Sequence, residues 1–230
     1  MEVLSIVVPV YNEESTVQEV IERLLAIDLP IAREIIVVND GSTDRTRHVL
    51  DAMPPVPGTL RIVHAEVNGG KGRAIRTGFE QAHGTIVAIQ DADLELDPAQ
   101  LRDLIAPILS GEASVVYGSR FLAGLPEAPW VTIVANKVLT AATNLLYGSR
   151  ITDMETCYKV MRTDVARGLH LEANRFDIEP EITAKVLLTG LTIVERPIRF
   201  QPRSRAQGKK IGWRDGVHAL RVLARHRFGR

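Results

Sequence analysis

Leu4-Ser5-Ile6-Val7-Val8-Pro9-Val10, followed at once by Tyr11-Asn12-Glu13-Glu14, sets the fold class of this 230-residue chain. The first stretch is almost continuously apolar, the pattern of a strand buried on both faces as in a parallel sheet. A helix follows, opening at Glu14 or Ser15 and running to about Ile27. The same alternation repeats outward. Residues 34–38, 60–64, 85–90 and 114–117 read as strands, and helices are expected from Asp44 to about Met53, from Gly72 to about Ala82 and from Pro98 onward. Alternating strands and helices predict an α/β fold with a mostly parallel, doubly wound sheet.

Beyond residue 120 the texture changes. Residues 132–147 form one long helical candidate rich in Ala, Leu and Val, followed by a polar loop over 148–156. A helix over 180–188, a short strand over 192–195 and a helix over 212–225 complete the expected elements. The Pro-rich patch at 53–58 is too short to separate domains, so residues 1–230 are expected to form a single domain with a helical and basic C-terminal elaboration.

The chain is 45% hydrophobic with 28 basic and 28 acidic residues, enough apolar material for a sizeable core and no net charge to suggest a nucleic-acid binder. The balance hides a segregation. Residues 196–230 hold 11 Lys and Arg against Asp215 alone, a local charge of +10, which leaves residues 1–195 at −10. A lone cysteine, Cys157, fits a reducing cytosol and reads as a small buried hydrophobe. The start of the chain runs straight into a strand without a basic leader, and the most apolar stretch, 131–146, is interrupted by Asn136, Lys137 and Asn144. The expected location is therefore the cytoplasm, with peripheral contact at the cytoplasmic membrane face left open. Trp130, the apolar helix after it and the basic residues near the C-terminus could lie on an anionic leaflet, or the helix could be plain core or an oligomer face.

In open α/β sheets ligands bind beyond the carboxyl ends of the strands. Those positions are unusually polar here: Asn39-Asp40-Gly41-Ser42 after the second strand, Asn68-Gly69-Gly70-Lys71-Gly72 after the third, and Asp91-Ala92-Asp93-Leu94-Glu95 after the fourth. If the last segment is extended, Asp91 and Asp93 face the same way and suit a hard cation, with Glu95 as a third ligand. Its plainer reading is an acidic turn ahead of the Pro98 helix. Asp40 reads as a group aimed beyond its strand at a ribose or base, or as part of an ordinary β-to-α turn. The loop around Lys71 is no Walker motif, because Gly72 stands where Ser or Thr binds magnesium; Lys71 is a solvated turn lysine or a phosphate contact.

Taken in order, Pro9-Val10-Tyr11-Asn12-Glu13, Asn39-Asp40-Gly41-Ser42-Thr43-Asp44, Asn68-Gly69-Gly70-Lys71-Gly72, Gln90-Asp91-Ala92-Asp93-Leu94-Glu95 and Gly118-Ser119-Arg120 resemble the inverting family 2 glycosyltransferases of the GT-A fold. Within them the chain is most similar to the dolichol-phosphate mannosyltransferase and polyprenyl-phosphate glycosyltransferase branch. Thr152-Asp153-Met154-Glu155-Thr156-Cys157-Tyr158-Lys159 resembles the branch's acceptor-side segment, and Pro197-Ile198-Arg199-Phe200 with Arg203, Arg205, Gly208, Lys209 and Lys210 its basic closing loop. The chain departs from the pattern at Asn39, where many members have Asp, at Glu95, where some have Gln, and at Cys157-Tyr158, where Gly-Phe is common.

The resemblance implies a nucleotide-sugar-binding half, 1–120, and an acceptor-side half, 121–230. It implies Asp91, Asp93 and Arg120 as the catalytic set, and Pro9, Tyr11, Glu13, Asp40, Lys71, Asp91, Ala92, Asp93, Arg120, Arg203 and Lys209 around a GDP-mannose or UDP-glucose type donor. Magnesium or manganese on Asp91, Asp93 and Glu95 would stabilise the leaving diphosphate. Asp153, Glu155, Thr156, Arg199 and Arg205 fall on the acceptor side. A polyprenyl phosphate acceptor brings its own nucleophilic oxygen, whereas a hydroxyl acceptor requires a base, for which Asp153 and Glu155 are the candidates. A non-catalytic nucleotide-sugar-binding protein is the remaining alternative, and it would tolerate loss of Asp93.

Overall fold

The computed structural model describes residues 1–202 and 213–229. In chain order the elements are β1 (Val3–Val10), α1 (Val17–Ala26), β2 (Ala32–Asn39), α2 (Thr46–Asp51), β3 (Leu60–His64), α3 (Lys71–Gln81), β4 (Ile86–Ile89), α4 (Leu101–Leu109), β5 (Val115–Ser119), α5 (Trp130–Tyr147), β6 (Lys159–Arg162), α6 (Thr163–Gly168), α7 (Ile178–Leu188), β7 (Ile193–Pro197) and α8 (Trp213–Phe228). The strands form one seven-stranded sheet in the order β3-β2-β1-β4-β6-β5-β7. Every neighbouring pair is parallel except those made by β6, which runs antiparallel between β4 and β5. The mostly parallel α/β architecture expected from the sequence is the one observed. β6 and α6 were not anticipated: β6 is only four residues long and carries a lysine and an arginine at its ends, too little apolar pattern to stand out.

Both faces of the sheet are covered, which is why its strands read as unbroken apolar runs. Ile6, Val8, Ile35, Val37, Ile86 and Ala88 share a core with Val17, Ile21 and Leu24 of α1 and with Leu104 and Ile105 of α4. On the other face Val7, Ile36, Val38, Val87 and Ile89 share a core with Ile75 and Phe79 of α3 and with Ile178 and Ile182 of α7. Helix α7 is buried almost all round, with α8 packed over it. Its buried residues include Glu179 and Glu181.

Glycine at position 72 has a packing reason. Residues 173–174 lie across the first turn of α3, where Arg73 N–H donates to the Asn174 carbonyl at 3.2 Å and the Arg76 guanidinium to the Asn174 side chain at 2.6 Å. A Cβ at Gly72 would fall on the Ala173 carbonyl and within 2.9 Å of the Asn174 carbonyl carbon. Gly72→Ala is therefore expected to destabilise the fold by about 1–3 kcal/mol in urea unfolding, although alanine is the better helix former. A variant as stable as the parent would contradict this packing.

Candidate active site

The parallel strands bring their carboxyl ends to one edge, and the loops there are laced together. Asn12, at φ 54°, donates its backbone N–H to Ser42 Oγ at 3.0 Å and accepts the Thr43 N–H on its side-chain oxygen at 2.8 Å. Glu13 N–H donates to Thr46 Oγ1 at 2.9 Å, and the buried Glu13 carboxylate accepts the Thr16 hydroxyl at 2.9 Å. Tyr11 is half-buried beside them, and Pro9 lies on β1 in register with Val38.

Of its two readings, Asp40 takes that of a residue within the β-to-α turn. It is buried, and its carboxylate accepts Gly69 N–H at 2.9 and 3.1 Å and Gly70 N–H at 2.6 Å. The two glycine amides at the start of α3 form a cradle that a free carboxylate would otherwise leave for solvent. Asp40 thus fixes the turn that carries Lys71.

Lys71 is not a solvated lysine. Its Nζ lies 2.9 Å from Asp91 Oδ1, 3.0 Å from Asp91 Oδ2 and 3.0 Å from Glu179 Oε1. The other oxygen of Glu179 takes the amine of the fully buried Lys159, which also donates to the carbonyls of Met154, at 3.2 Å, and Thr156. Four alternating charges thus connect β4, α3, α7 and β6. Burial opposes the Lys71 charge, but the Asp91 and Glu179 carboxylates outweigh it and raise the Lys71 pKa above its ordinary value. Burial likewise works against the Asp91 charge, and Lys71 reverses the balance, holding Asp91 below the usual carboxylate range. The Cys157 thiol hydrogen-bonds Asp91, and burial pushes its pKa up, so it stays a neutral thiol.

Glu179 and Lys159 were missed in the sequence reading. The signal was Glu179-Pro180-Glu181 at the head of an otherwise apolar helix, since ionised groups in such a setting need partners. Glu181 has its own: it accepts the N–H groups of Glu172 at 2.9 Å and Ala173 at 2.8 Å and pairs with Lys185 at 2.8 Å. It thereby fixes the loop that packs on Gly72.

Arg120, at the end of β5, is gripped by Asp153. Its Nε and Nη2 each donate at 2.7 Å, its backbone N–H donates at 3.0 Å, and its guanidinium stacks 5.2 Å from the centre of the Phe200 ring. Asp153 is fully buried with both oxygens engaged, which removes it as a candidate base. The Glu195 carboxylate holds this loop by accepting the backbone N–H groups of Thr152 and Asp153.

Glu155 differs. Its Oε1 is buried and has no hydrogen-bond partner among the described residues, and burial, reinforced by Glu179 and Asp153 against Lys159 and Arg120, pushes its pKa up to about 7. Thr156 Oγ1 beside it is also buried without a partner among the described residues. Two adjacent orphaned polar atoms mark a place where water or a ligand group belongs.

The segment after β4 is a turn rather than an extended strand. Asp93 Oδ1 accepts the Glu95 N–H at 3.1 Å, and Leu94 sits at φ 61°. Alternation does not align Asp91, Asp93 and Glu95, and among the described residues no three Asp, Glu, His or Cys side chains gather as a metal cluster. The extended alignment expected of the three carboxylates is not the one observed. The hard carboxylate oxygens of Asp91 and Asp93 suit magnesium or manganese, which complete their shells with substrate phosphates and water, and Asp91 keeps one lone pair beyond its contacts with Lys71 and Cys157. Ala92 between them is buried. Gln201 N–H donates to the Glu95 carbonyl at 2.9 Å, so the start of the basic segment is tied to this turn. Arg199 is exposed at the same edge, its backbone N–H on the Gln100 side chain. Arg203, Arg205, Lys209 and Lys210 lie outside the described residues.

The model of the family described as Glycosyl transferase family 2 matches residues 5–169. The low-salt glycan biosynthesis hexosyltransferase Agl6 of Haloferax volcanii is 31% identical over 221 residues, 92% of this chain and 51% of that protein. The dolichol-phosphate mannosyltransferase of Pyrococcus furiosus is 28% identical over 216 residues, 91% of this chain and 59% of that protein. The chain thus spans about half the length of these curated relatives. A crystal structure of glucosyl-3-phosphoglycerate synthase from Mycobacterium tuberculosis, in complex with Mn2+, UDP and phosphoglyceric acid, superposes with a TM-score of 0.74 at 22% identity, covering 98% of this chain and 77% of that one. The likeness extends to the fold.

The Glu155 environment makes stability depend on pH. From about 4.5 to about 7 the folded protein holds a proton on Glu155 that the unfolded chain has released, so stability falls as pH rises through this window and levels off above it. Glu155→Gln is expected to remove about 2–3 kcal/mol of that fall, read as urea midpoints at pH 5 and pH 8. Identical pH dependence in both proteins would contradict the assignment.

Proposed function

The chain belongs to glycosyl transferase family 2, and from that premise we propose that it transfers a hexose, with inversion, from a nucleoside diphosphate sugar of the GDP-mannose or UDP-glucose type to a polyprenyl phosphate. The observation that carries this reading is the ion-pair chain Asp91, Lys71, Glu179, Lys159, which holds an ionised carboxylate at the end of β4 beside Asp93. The named activities of the relatives support the acceptor class: a dolichol-phosphate mannosyltransferase, and a polyprenol monophosphomannose synthase from Mycolicibacterium smegmatis that is 27% identical over 216 residues. We read residues 1–230 as one catalytic domain acting in the cytoplasm.

Asp91 and Asp93 would hold a magnesium or manganese ion, which when bound supplies positive charge against the departing diphosphate. The four charges already balance, two lysines against two carboxylates, so a doubly charged ion is neutralised only together with Asp93 and the donor diphosphate. Donor and ion are therefore expected to bind as a unit. Arg120, fixed by Asp153 and Phe200, presents a preoriented donor group toward phosphate oxygens rather than net charge. Tyr11 and Glu13 line the nucleoside side. Asp40 acts by holding the Gly69-Gly70 turn.

Glu155 favours one second reading. A buried carboxylate with a pKa near 7 beside an orphaned threonine hydroxyl could take a proton from a hydroxyl acceptor, a saccharide or a small molecule. A phosphate acceptor needs no such group.

The test is transfer from radiolabelled nucleotide sugars to polyprenyl phosphate with manganese, followed by organic extraction. Label is expected in the organic phase, lost on chelation and restored by manganese, and lowered at least about 100-fold by Asp93→Asn. Label confined to the aqueous phase for every donor, or full activity in Asp93→Asn, would contradict the proposal. Glu155→Gln separates the acceptors: the rate stays within a few-fold for a phosphate acceptor and falls about 100-fold or more for a hydroxyl.

A further inference from the structure

Asn39, the last residue of β2, is too buried to read a ligand itself, yet both ends of its amide are engaged. Its Oδ1 accepts the Ser42 backbone N–H at 3.1 Å, and its Nδ2 lies 2.9 Å from Nδ1 of His64, the residue in register with it on β3. A backbone N–H can only donate, which settles the orientation of the amide: oxygen toward Ser42, nitrogen toward His64. The Asn39 nitrogen is itself a donor, so His64 Nδ1 must offer its lone pair. The imidazole proton then sits on Nε2, 3.1 Å from Asp51 Oδ1 at the end of α2. One hydrogen-bonded line thus runs from Asp51 through His64 and Asn39 to Ser42.

The line ends at the edge assigned to the nucleoside. Ser42 Oγ accepts the Asn12 N–H and the Thr43 N–H donates to the Asn12 side chain, so the turn over 39–43 and the segment of Tyr11 and Glu13 are held as one piece. A second proton on the imidazole would set Nδ1–H against the Asn39 amide hydrogens, two donors facing each other at 2.9 Å. Turning the amide over only moves the conflict, because its nitrogen would then meet the Ser42 N–H. The groups around the ring leave this contact as the deciding one. Asp51 is exposed and its other oxygen lies 3.7 Å from Arg47 Nε, and β2 presents the neutral Asn39. Glu66 is exposed in the loop beyond β3, and Arg61, on β3 itself, donates to the Gln81 carbonyl at 3.1 Å.

We propose that His64 is a positioning residue of the donor site: neutral, with its proton on Nε2, it holds the Asn39 amide and through it the Ser42 turn in the shape that receives the nucleoside, and protonation releases that turn. The inference rests on the proposed donor for the identity of the ligand, whereas the hydrogen-bonded line is read without it.

The test is nitrogen NMR of the full chain labelled at histidine, together with binding of UDP and of GDP in the presence of manganese. At about pH 8, His64 is expected to show a bare Nδ1 and a protonated Nε2. H64L, which offers no acceptor, should weaken nucleotide binding about fivefold or more, whereas H64N, whose side-chain oxygen falls near the Nδ1 position, should bind within about twofold of the parent. From about pH 8 to about pH 5.5 the parent should lose about fivefold more affinity than H64N. N39D should lack this excess as well, since its carboxylate accepts from both the Ser42 N–H and a protonated imidazole. A proton on Nδ1 at pH 8, parent-like binding by H64L, or equal acid loss in the parent and H64N would overturn the proposal. If neither nucleotide binds the parent, the donor reading fails and hydrogen exchange of the Ser42 amide decides for His64: faster exchange in H64L but not in H64N supports the positioning line, and no difference overturns it.

Discussion

Four charges in alternation, the half-buried Asp91 and Lys71 and the buried Glu179 and Lys159, bind the carboxyl end of β4 to α3, α7 and β6. Taking Glu179 and Lys159 out of water costs several kcal/mol each, which is offset only while both keep their partners; deleting one partner of a buried pair typically costs about 3–5 kcal/mol. The chain therefore acts as a constraint more than as a gain in stability. It allows one relative placement of β4, the first turn of α3 and the head of α7, and that placement sets where the Asp91 carboxylate stands. The antiparallel β6 is part of the same device, since it delivers Lys159 from between β4 and β5.

The acidity of residues 1–195 takes on a different meaning once the partners are known. Asp40 holds two glycine amides, Asp153 grips Arg120, Glu181 fixes the 172–173 loop and Glu195 fixes the 152–153 loop. These carboxylates are struts for the loops at the strand ends, satisfied by backbone amides and an arginine rather than by solvent. Glu155, at the same edge, keeps an oxygen with no hydrogen-bond partner among the described residues. In the proposed reaction the chemistry falls to the Asp91–Asp93 turn, and Glu155 would act only on a hydroxyl acceptor.

Much of this architecture was legible in the sequence. Strands β1, β2, β4 and β5 announced themselves because a strand covered on both faces is apolar along its buried run, and α1 showed its buried stripe at Val17, Val20, Ile21 and Leu24. β6 was hidden because Lys159 breaks the apolar pattern, and its burial is explained only by Glu179, twenty residues away and on another element. The site was legible as a set of strand-end motifs but not as a set of roles. Lys71 read as a solvated turn residue or a phosphate contact, since nothing local reveals that α7 will bring a carboxylate to it. Asp153 read as an acceptor-side group, and Asp40 as a nucleoside contact or a turn residue, because a sequence shows which residues carry charge and not which are already paired. Asp93 read as one of an aligned set, and the positive φ of Leu94 that turns the segment is not encoded in any glycine.

The measurement that bears most directly on this account is anomalous scattering from manganese in crystals grown with a nucleoside diphosphate. The account predicts one strong peak within about 2 Å of carboxylate oxygens of Asp91 or Asp93 and of the diphosphate, with Lys71 still seated between Asp91 and Glu179. A manganese peak on other residues, with Asp91 and Asp93 turned away from the diphosphate, would contradict it.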